Sequence, residues 1–554
     1  MRLPKMLAWL AAGALGLAAA AVVLLLIASG PWFLPSPPPA SVETPLPRLV
    51  VEADGTSRIG ESFAFARGGI QACALTGPPR MRGAAMGRLR REGIFAVEEA
   101  LLGKVRACVP NPAARWLWAR MLMVRNRDLD DHVPVWVQRE VAGLVEHSED
   151  RFPQYGPHFV RHLNYLAAHD LIQDYAAVPH GIGCTAFGAT TRMTGDGTVL
   201  LARNFDIEDG EALRNNLTVL RFAPPDGYAH LSVAWPGMFG VLSGVNEAGL
   251  AVALLAARSR DTAGIGVPVS VLARRVLTEA ATLDQAIAMI RGAEVFADQT
   301  FLIGSGAEDA FAVVEKTPLR TGVRGRRSRI VTATNHFLSP ALREDPENIR
   351  TRALGPSEAR MQRLTWLTNE AAGELDLARG IRILRDRRGR DGTFVGYGHR
   401  NAIDNLHAVH SVVFELTSRT AWVSEGPHTL GAYRPFRLDR FGGDAAPPAA
   451  GADPLLTGGR YDDIVRYRRG LRRAEAHLET GRHREALAVL VEIRLYNLKH
   501  YRSYLLAGRA LEALGRRDEA RYNYRIALNR QPAYARERAF LRDRLAGLAS
   551  RESP

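Results

Sequence analysis

The sequence predicts a layered α+β fold, and three observations carry that prediction. Residues 48–180 place apolar side chains at three- and four-residue intervals, as in GRLRREGIFAVEEALLGKV and PVWVQREVAGLVEHSED, the period of amphipathic helices. From Gly181 the pattern changes to alternating strands joined by glycine turns. The helices that interrupt those strands come in blocks, so the regular βα alternation of a parallel sheet is missing.

In chain order, Met6–Gly30 carries no charge and follows the cations Arg2 and Lys5. A bilayer span needs about 20 apolar residues, so residues 1–30 read as a membrane anchor, with a cleaved signal sequence as the alternative. Cations on the near side place that end inside, which puts the chain at the inner (cytoplasmic) membrane with its catalytic part periplasmic or exterior. The proline-rich stretch 31–47 reads as a stiff linker, and 48–183 as a helical α segment.

Residues 184–440 are then the core. CTAFGATTRM and TVLLARNF form one hairpin across TGDG, LTVLRF and AHLSVAW a second, and GVLSGV and LAVALLAA a third across Asn246–Gly249. FLIGS and AFAVVEK, then HAVHSVVFEL and RTAWVSEG, follow, with helices over 267–293, the second capped by Thr282, and over 356–386. Residues 460–548 are helical with a repeat. Tyr504, Gly508, Gly515, Ala520, Tyr524, Ala527 and Pro532 take the places of small and aromatic residues in a 34-residue tetratricopeptide unit, echoed at Ala474, Gly481, Ala486, Leu490 and Ile493. Such a region docks a protein partner or caps the core.

The 554 residues carry a formal charge of +14, almost all of the cations being arginine. The arginines are scattered without interleaved aromatic residues, which argues against a nucleic-acid partner. Of three cysteines, Cys73 and Cys108 form a conceivable disulfide in an oxidising compartment, leaving Cys184 unpaired. No metal-ligand spacing involves any of them, and no cofactor motif stands out.

Cys184 follows Gly183. A chain cut between them would carry a thiol and a free α-amine on one residue, and an amine that titrates near 7.7–8.0 can serve as base for the thiol without a histidine. Thiolate attack on an amide or thioester carbonyl would give an acyl-enzyme, resolved by water or by an amine. Glycine before the cut permits the strained backbone of an N-to-S acyl shift. A lone buried cysteine is otherwise a small core hydrophobe. The block HGIGCTAFGATTRMTGDGTVLLARNFDIEDG adds Arg203 and Asp206, which the return strand brings back toward Cys184.

This block resembles the penicillin acyltransferase family of N-terminal-nucleophile enzymes (the C45 peptidase family), and more distantly the bile salt hydrolases and penicillin V acylases. GVNEAGLAV, with Asn246, and TATNHF, with Asn335, match two further family asparagines. The resemblance implies a four-layer αββα sandwich, autoproteolysis between Gly183 and Cys184, and Cys184, Arg203, Asp206, Asn246 and Asn335 as catalytic residues, the asparagines serving the oxyanion. It also implies an N-acyl amide or acyl thioester substrate. A late active-site arginine or serine has only loose candidates in Arg400 and Ser411. Two rival readings remain: a membrane-anchored interaction protein with a non-catalytic sandwich, and an uncut thiol hydrolase using His336 or His180 as base.

Overall fold

The computed structural model describes residues 24–39, 45–174, 182–262, 264–443 and 448–549. Two sheets organise the core. The larger runs, in spatial order, β1 (Leu49–Val51), β2 (Ser57–Ile59), β3 (Ser62–Arg67), β4 (Ile70–Thr76), β7 (Thr218–Ala223), β8 (His230–Ala234), β9 (Ser243–Asn246), β10 (Leu250–Ala256), β11 (Gln299–Ser305), β12 (Ala310–Lys316) and β13 (Thr321–Arg324). The smaller runs β14 (Ile330–Ala333), β5 (Ile182–Ala189), β6 (Leu200–Ile207), β15 (Ala408–Glu415), β16 (Thr420–Ser424) and β17 (Tyr433–Arg437).

The sheets face each other, β5 lying against β10 and β11 and β14 against β12. Helices Val269–Glu279 and Leu283–Gly292 cover the outer face of the larger sheet, and Ser357–Glu370 and Leu377–Leu384 that of the smaller. Central strands are therefore buried on both faces, as the fully buried LAVALLA of β10 and LLARNFDI of β6 require. The second outer helix starts on the expected Thr282, whose side chain and that of Gln285 form a reciprocal capping box.

The stretch 48–180 is less helical than its period suggests. Its first part forms β1–β4, where SFAFAR and IQACALT pair across the Gly68-Gly69 turn with Arg67 opposite Ile70. β4 then pairs in parallel with β7, Ala72 opposite Val219, so segments on either side of Cys184 share one sheet. A buried cluster reinforces that union. Glu140 accepts from Arg82 Nε at 2.7 Å and Arg274 Nη2 at 2.8 Å, and Arg274 also lies 3.9 Å from the Phe222 ring centre.

Two expectations are corrected. Among the described residues no helix is long and apolar enough to cross a membrane. Only residues 24–28 of the expected anchor are seen as helix, a single turn ending at Ser29–Gly30, and the rest of the stretch lies outside the described residues. The single-pass membrane placement is not supported. Nor do Cys73 and Cys108 pair: Cys73 is buried in β4, Cys108 is exposed at the end of helix Arg91–Cys108, and both are free.

Residues beyond 460 form helices Arg460–Glu479, His483–Arg494, Arg502–Ala513, Arg517–Asn529 and Ala535–Ala549, each packed on the next around a core of its own that includes Tyr504, Ala520 and Tyr524.

Replacing Glu140 with alanine leaves two buried guanidinium groups without their carboxylate. Urea denaturation of Glu140→Ala is expected to show a loss of about 3–5 kcal/mol. A loss below about 1 kcal/mol, the value of a surface pair, would refute the role given to this cluster.

Candidate active site

Strand alternation sets the geometry at Cys184. In the β5–β6 ladder Cys184 faces Phe205 and Gly183 faces Asp206, with Ala186 opposite Arg203. Directly opposed residues share a face and neighbours alternate, so the Cys184 thiol and Arg203 point between the sheets while Asp206 points to the outer helices.

On the inner face, Arg203 Nη2 lies 3.5 Å from Cys184 Sγ. The guanidinium is fixed to the opposite sheet: it donates to the carbonyls of Leu242 (2.8 Å) and Leu254 and to Ser243 Oγ, and stacks 4.5 Å from the Phe205 ring centre. Burial lowers its pKa, opposed by the neighbouring thiol. A cation held there favours negative charge developing at the sulfur or on a bound carbonyl oxygen. An apolar cavity of about 80 Å³ adjoins the same face, lined among others by Ile182, Phe205, Trp235, Met238 and Leu242. That exceeds the ~30 Å³ share of one water, so the space admits part of an apolar chain.

On the outer face, Asp206 Oδ2 accepts from Asn405 Nδ2 at 2.7 Å, and Oδ1 has no hydrogen-bond partner among the described residues. Burial raises the Asp206 carboxyl above the usual range, partly offset by Arg400 and Arg360. A β-carbon built on Gly183 would come within 3.0 Å of Asp206 Oδ2 and 3.2 Å of Arg400 Nη2, so a side chain here would have to push both groups aside.

The backbone of Cys184 is gripped from the side of β14. Asn335, just past that strand, accepts the Cys184 amide at 2.8 Å through Oδ1, and the same oxygen accepts from Arg360 Nη2 at 2.7 Å. Arg360 can only donate, which fixes the orientation of the Asn335 amide. Its Nδ2 donates to the Ala256 carbonyl at 3.0 Å. Arg360, from helix Ser357–Glu370, also holds the Cys184 carbonyl and Thr185 Oγ1.

The structure thus brings Gly183, Cys184, Arg203, Asp206 and Asn335 together, and adds Arg400, Arg360 and Asn405. It does not bring Asn246. The Asn246 side chain donates to the carbonyls of Leu277 (3.0 Å) and Ala280 (2.8 Å) and accepts from the Leu250 amide, fastening a helix end to the β9–β10 turn. Ser411 is also elsewhere, bonded to Asn204 and Tyr433. His336 turns away, with Nδ1 2.7 Å from Ser357 Oγ and Nε2 3.3 Å from Glu358, and burial takes its pKa down to about 3. His180 lies outside the described residues. Arg360 carries no signal in the sequence, being one arginine among many on an amphipathic helix.

Residues 192–429 match the model of the family described as acyl-coenzyme A:6-aminopenicillanic acid acyl-transferase. The central region of the chain is penicillin acyltransferase-like. The matched acyltransferase-like region contains Arg203, Asp206, Asn335, Arg360, Arg400 and Asn405 but begins after Cys184. An uncharacterized protein of Archaeoglobus fulgidus is 24% identical over 303 residues, 49% of this chain and 49% of that relative, so the match spans about half the relative's length. Among solved structures, the Caenorhabditis elegans ortholog of N-acylethanolamine-hydrolyzing acid amidase aligns with 18% identity, covering 42% of this chain and 93% of its own, at a TM-score of 0.31. A mutant conjugated bile acid hydrolase from Clostridium perfringens aligns with 15% identity, 48% and 97% coverage, and a TM-score of 0.32.

Two substitutions separate placement from support. A carboxyl whose pKa is raised on folding binds protons more tightly in the native state, so its ionised form at neutral pH opposes folding, and this cost fades as pH falls toward the unfolded value. Asp206→Asn is therefore expected to melt at or above the parent at pH 7, with the difference shrinking in acid. A clearly lower melting temperature at pH 7 would contradict the assignment. Asn246→Ala loses three buried hydrogen bonds and is expected to lower stability by about 2–4 kcal/mol in urea denaturation, at about 1 kcal/mol per bond.

Proposed function

We propose that the chain is a self-cleaving N-terminal-nucleophile enzyme of αββα architecture that hydrolyses linear amides of N-acyl compounds, or transfers their acyl group, through a thioester on Cys184. The observation that supports this most is the division of the Gly183-Cys184 pair between two faces of one strand. The thiol is set beside a fixed cation on the strand face that an apolar cavity adjoins, the Cys184 nitrogen meets an amide oxygen, and Gly183 lies against a buried carboxylate.

In the cleavage, Cys184 Sγ adds to the Gly183 carbonyl carbon, the C–N bond breaks as the thiol proton passes to the Cys184 nitrogen, and water hydrolyses the resulting thioester to a Gly183 carboxylate and a free thiol beside the new amine. In turnover the amine takes the thiol proton and Sγ adds to the substrate carbonyl. The C–N bond then breaks as the amine returns that proton to the leaving nitrogen, and water or an acceptor amine releases the acyl group. Asn335 Oδ1, which accepts from the Cys184 nitrogen in the uncut chain, would accept from the α-amine, and Asp206 would hold its remaining protons. This reassigns Asn335 from oxyanion donor to amine orienter, since its Nδ2 is taken by Ala256. Arg203 supplies the positive charge facing the oxyanion. The cavity suits an apolar acyl group. The alternative base, His336, faces Ser357 and Glu358, which favours the amine mechanism.

The test uses a panel of N-acyl amides with quenching in acid. The peptide beginning at Cys184 should gain the mass of the acyl group, and Cys184→Ala should show neither adduct nor turnover. The rate should rise with pH through about 8 as the amine loses its proton. Turnover persisting in Cys184→Ala would rule out the thioester route.

A further inference from the structure

Arg400 and Asn405 reach Asp206 and Gly183 from the segment between helix Leu377–Leu384 and β15, which contains no helix or strand. Arg363 and Asn204 hold this segment from within the matched region, and a second set of contacts comes from the C-terminal helices and their connections, outside the residues that match the family. Asn497 exchanges two hydrogen bonds with the Tyr397 backbone, at 3.1 and 2.8 Å. Asn401 Nδ2 donates to the Gln531 carbonyl at 3.1 Å, and Gln531 Nε2 to Asp391 Oδ2 at 2.8 Å. Arg468 Nη2 donates to the Leu406 carbonyl at 2.7 Å. At Gly396, with φ +98°, a β-carbon would lie 2.6 Å from the His500 nitrogen, so the two backbones meet directly.

Gln531 and Leu406, one on each side of this junction, have φ +54° and +55°. Non-glycine residues hold the left-handed region at a cost of about 1–3 kcal/mol, and only where their surroundings determine it. Between them, Arg400 and Tyr534 are buried neighbours that interact electrostatically. Tyr534 is buried, and its backbone amide donates to Glu537 Oε2 at 3.3 Å, an oxygen that also accepts from Tyr501 at 2.7 Å. A tyrosine hydroxyl can accept from the guanidinium without neutralising it, so Arg400 keeps its charge for the site.

We propose that the C-terminal helices are a working part of the active site, with Tyr534 as the positioning residue that holds Arg400 against Asp206 and the Gly183 position. The inference rests on the reading of Cys184 given above. The charged groups around Asp206 are Arg400 and Asp404 from the same segment, Arg360 from helix Ser357–Glu370, and Arg203 from its own strand. Arg400 is the largest of those that favour the Asp206 carboxylate. Letting Arg400 drift would shift Asp206 ionisation, and with it the amine it orients, to higher pH.

Alkylation of Cys184 by iodoacetamide, followed by mass across pH on the full chain, reads this out without a known substrate. Tyr534→Phe keeps the ring and removes the hydroxyl. It is expected to slow alkylation about tenfold, as for loss of a polar partner of a charged group, and to move the acid limb of the profile upward. Arg400→Gln should do the same, and the double variant should be no slower than Arg400→Gln alone. Asn401→Ala, which cuts the segment's bond to Gln531 from the other side, should shift the limb in the same direction and covers the case of a Tyr534→Phe protein that does not fold. An unmoved profile in these variants, or additive losses in the double variant, would overturn the proposal while leaving the Cys184 reading intact. A parent protein whose Cys184 is not alkylated at any pH would refute the Cys184 reading instead, and this inference with it.

Discussion

A single strand that must present two chemistries on opposite faces is the constraint on which the rest depends. Because β5 alternates, the thiol of Cys184 and the backbone of Gly183 cannot look the same way. The molecule meets this with separate layers. The larger sheet offers the carbonyls of Leu242 and Leu254 that immobilise Arg203 beside the thiol. The outer helix Ser357–Glu370 and the segment before β15 carry Arg360, Arg400 and Asn405 to the other face. Neither sheet alone would suffice, since Arg203 and Asp206 share β6 but are held from opposite sides, one by the larger sheet and the other by the segment before β15.

The same arrangement accounts for how a cut chain would stay assembled. β4 and β7 lie on opposite sides of Cys184 in sequence and pair along their whole length. Glu140, from the earlier segment, is held by Arg274 of the later one as well as by Arg82. Breaking a buried ion cluster of this kind costs several kcal/mol, which would oppose separation of the two segments if the chain were cut at Gly183.

Much of the site was legible in the sequence, for a definable reason. Cys184, Arg203 and Asp206 lie on one hairpin, and local pairing follows from alternation and a glycine turn. Asn335 sits one step past a strand that pairs with β5, and the residue match found it, although its amide oxygen rather than its nitrogen faces Cys184. Asn246 lies elsewhere: it is a turn asparagine whose side chain is consumed by the Leu250 amide and the carbonyls of Leu277 and Ala280. Strands β1–β4 were hidden by the helices that follow them, although Gly68-Gly69 marked a hairpin. Arg360 and Tyr534 could not have been found, because one arginine or tyrosine on an amphipathic helix looks like any other until long-range packing selects it. The expected anchor lies mostly outside the described residues, among which no helix is long and apolar enough to cross a membrane.

The account stands or falls on the bond between Gly183 and Cys184. Intact mass measurement of the purified full chain, with Cys184→Ala beside it, tests that bond directly. The account predicts two chains meeting at Gly183 and Cys184 in the parent and one uncut chain in the variant. A single full-length mass in the parent after prolonged incubation, or an equal cut in Cys184→Ala, would contradict it.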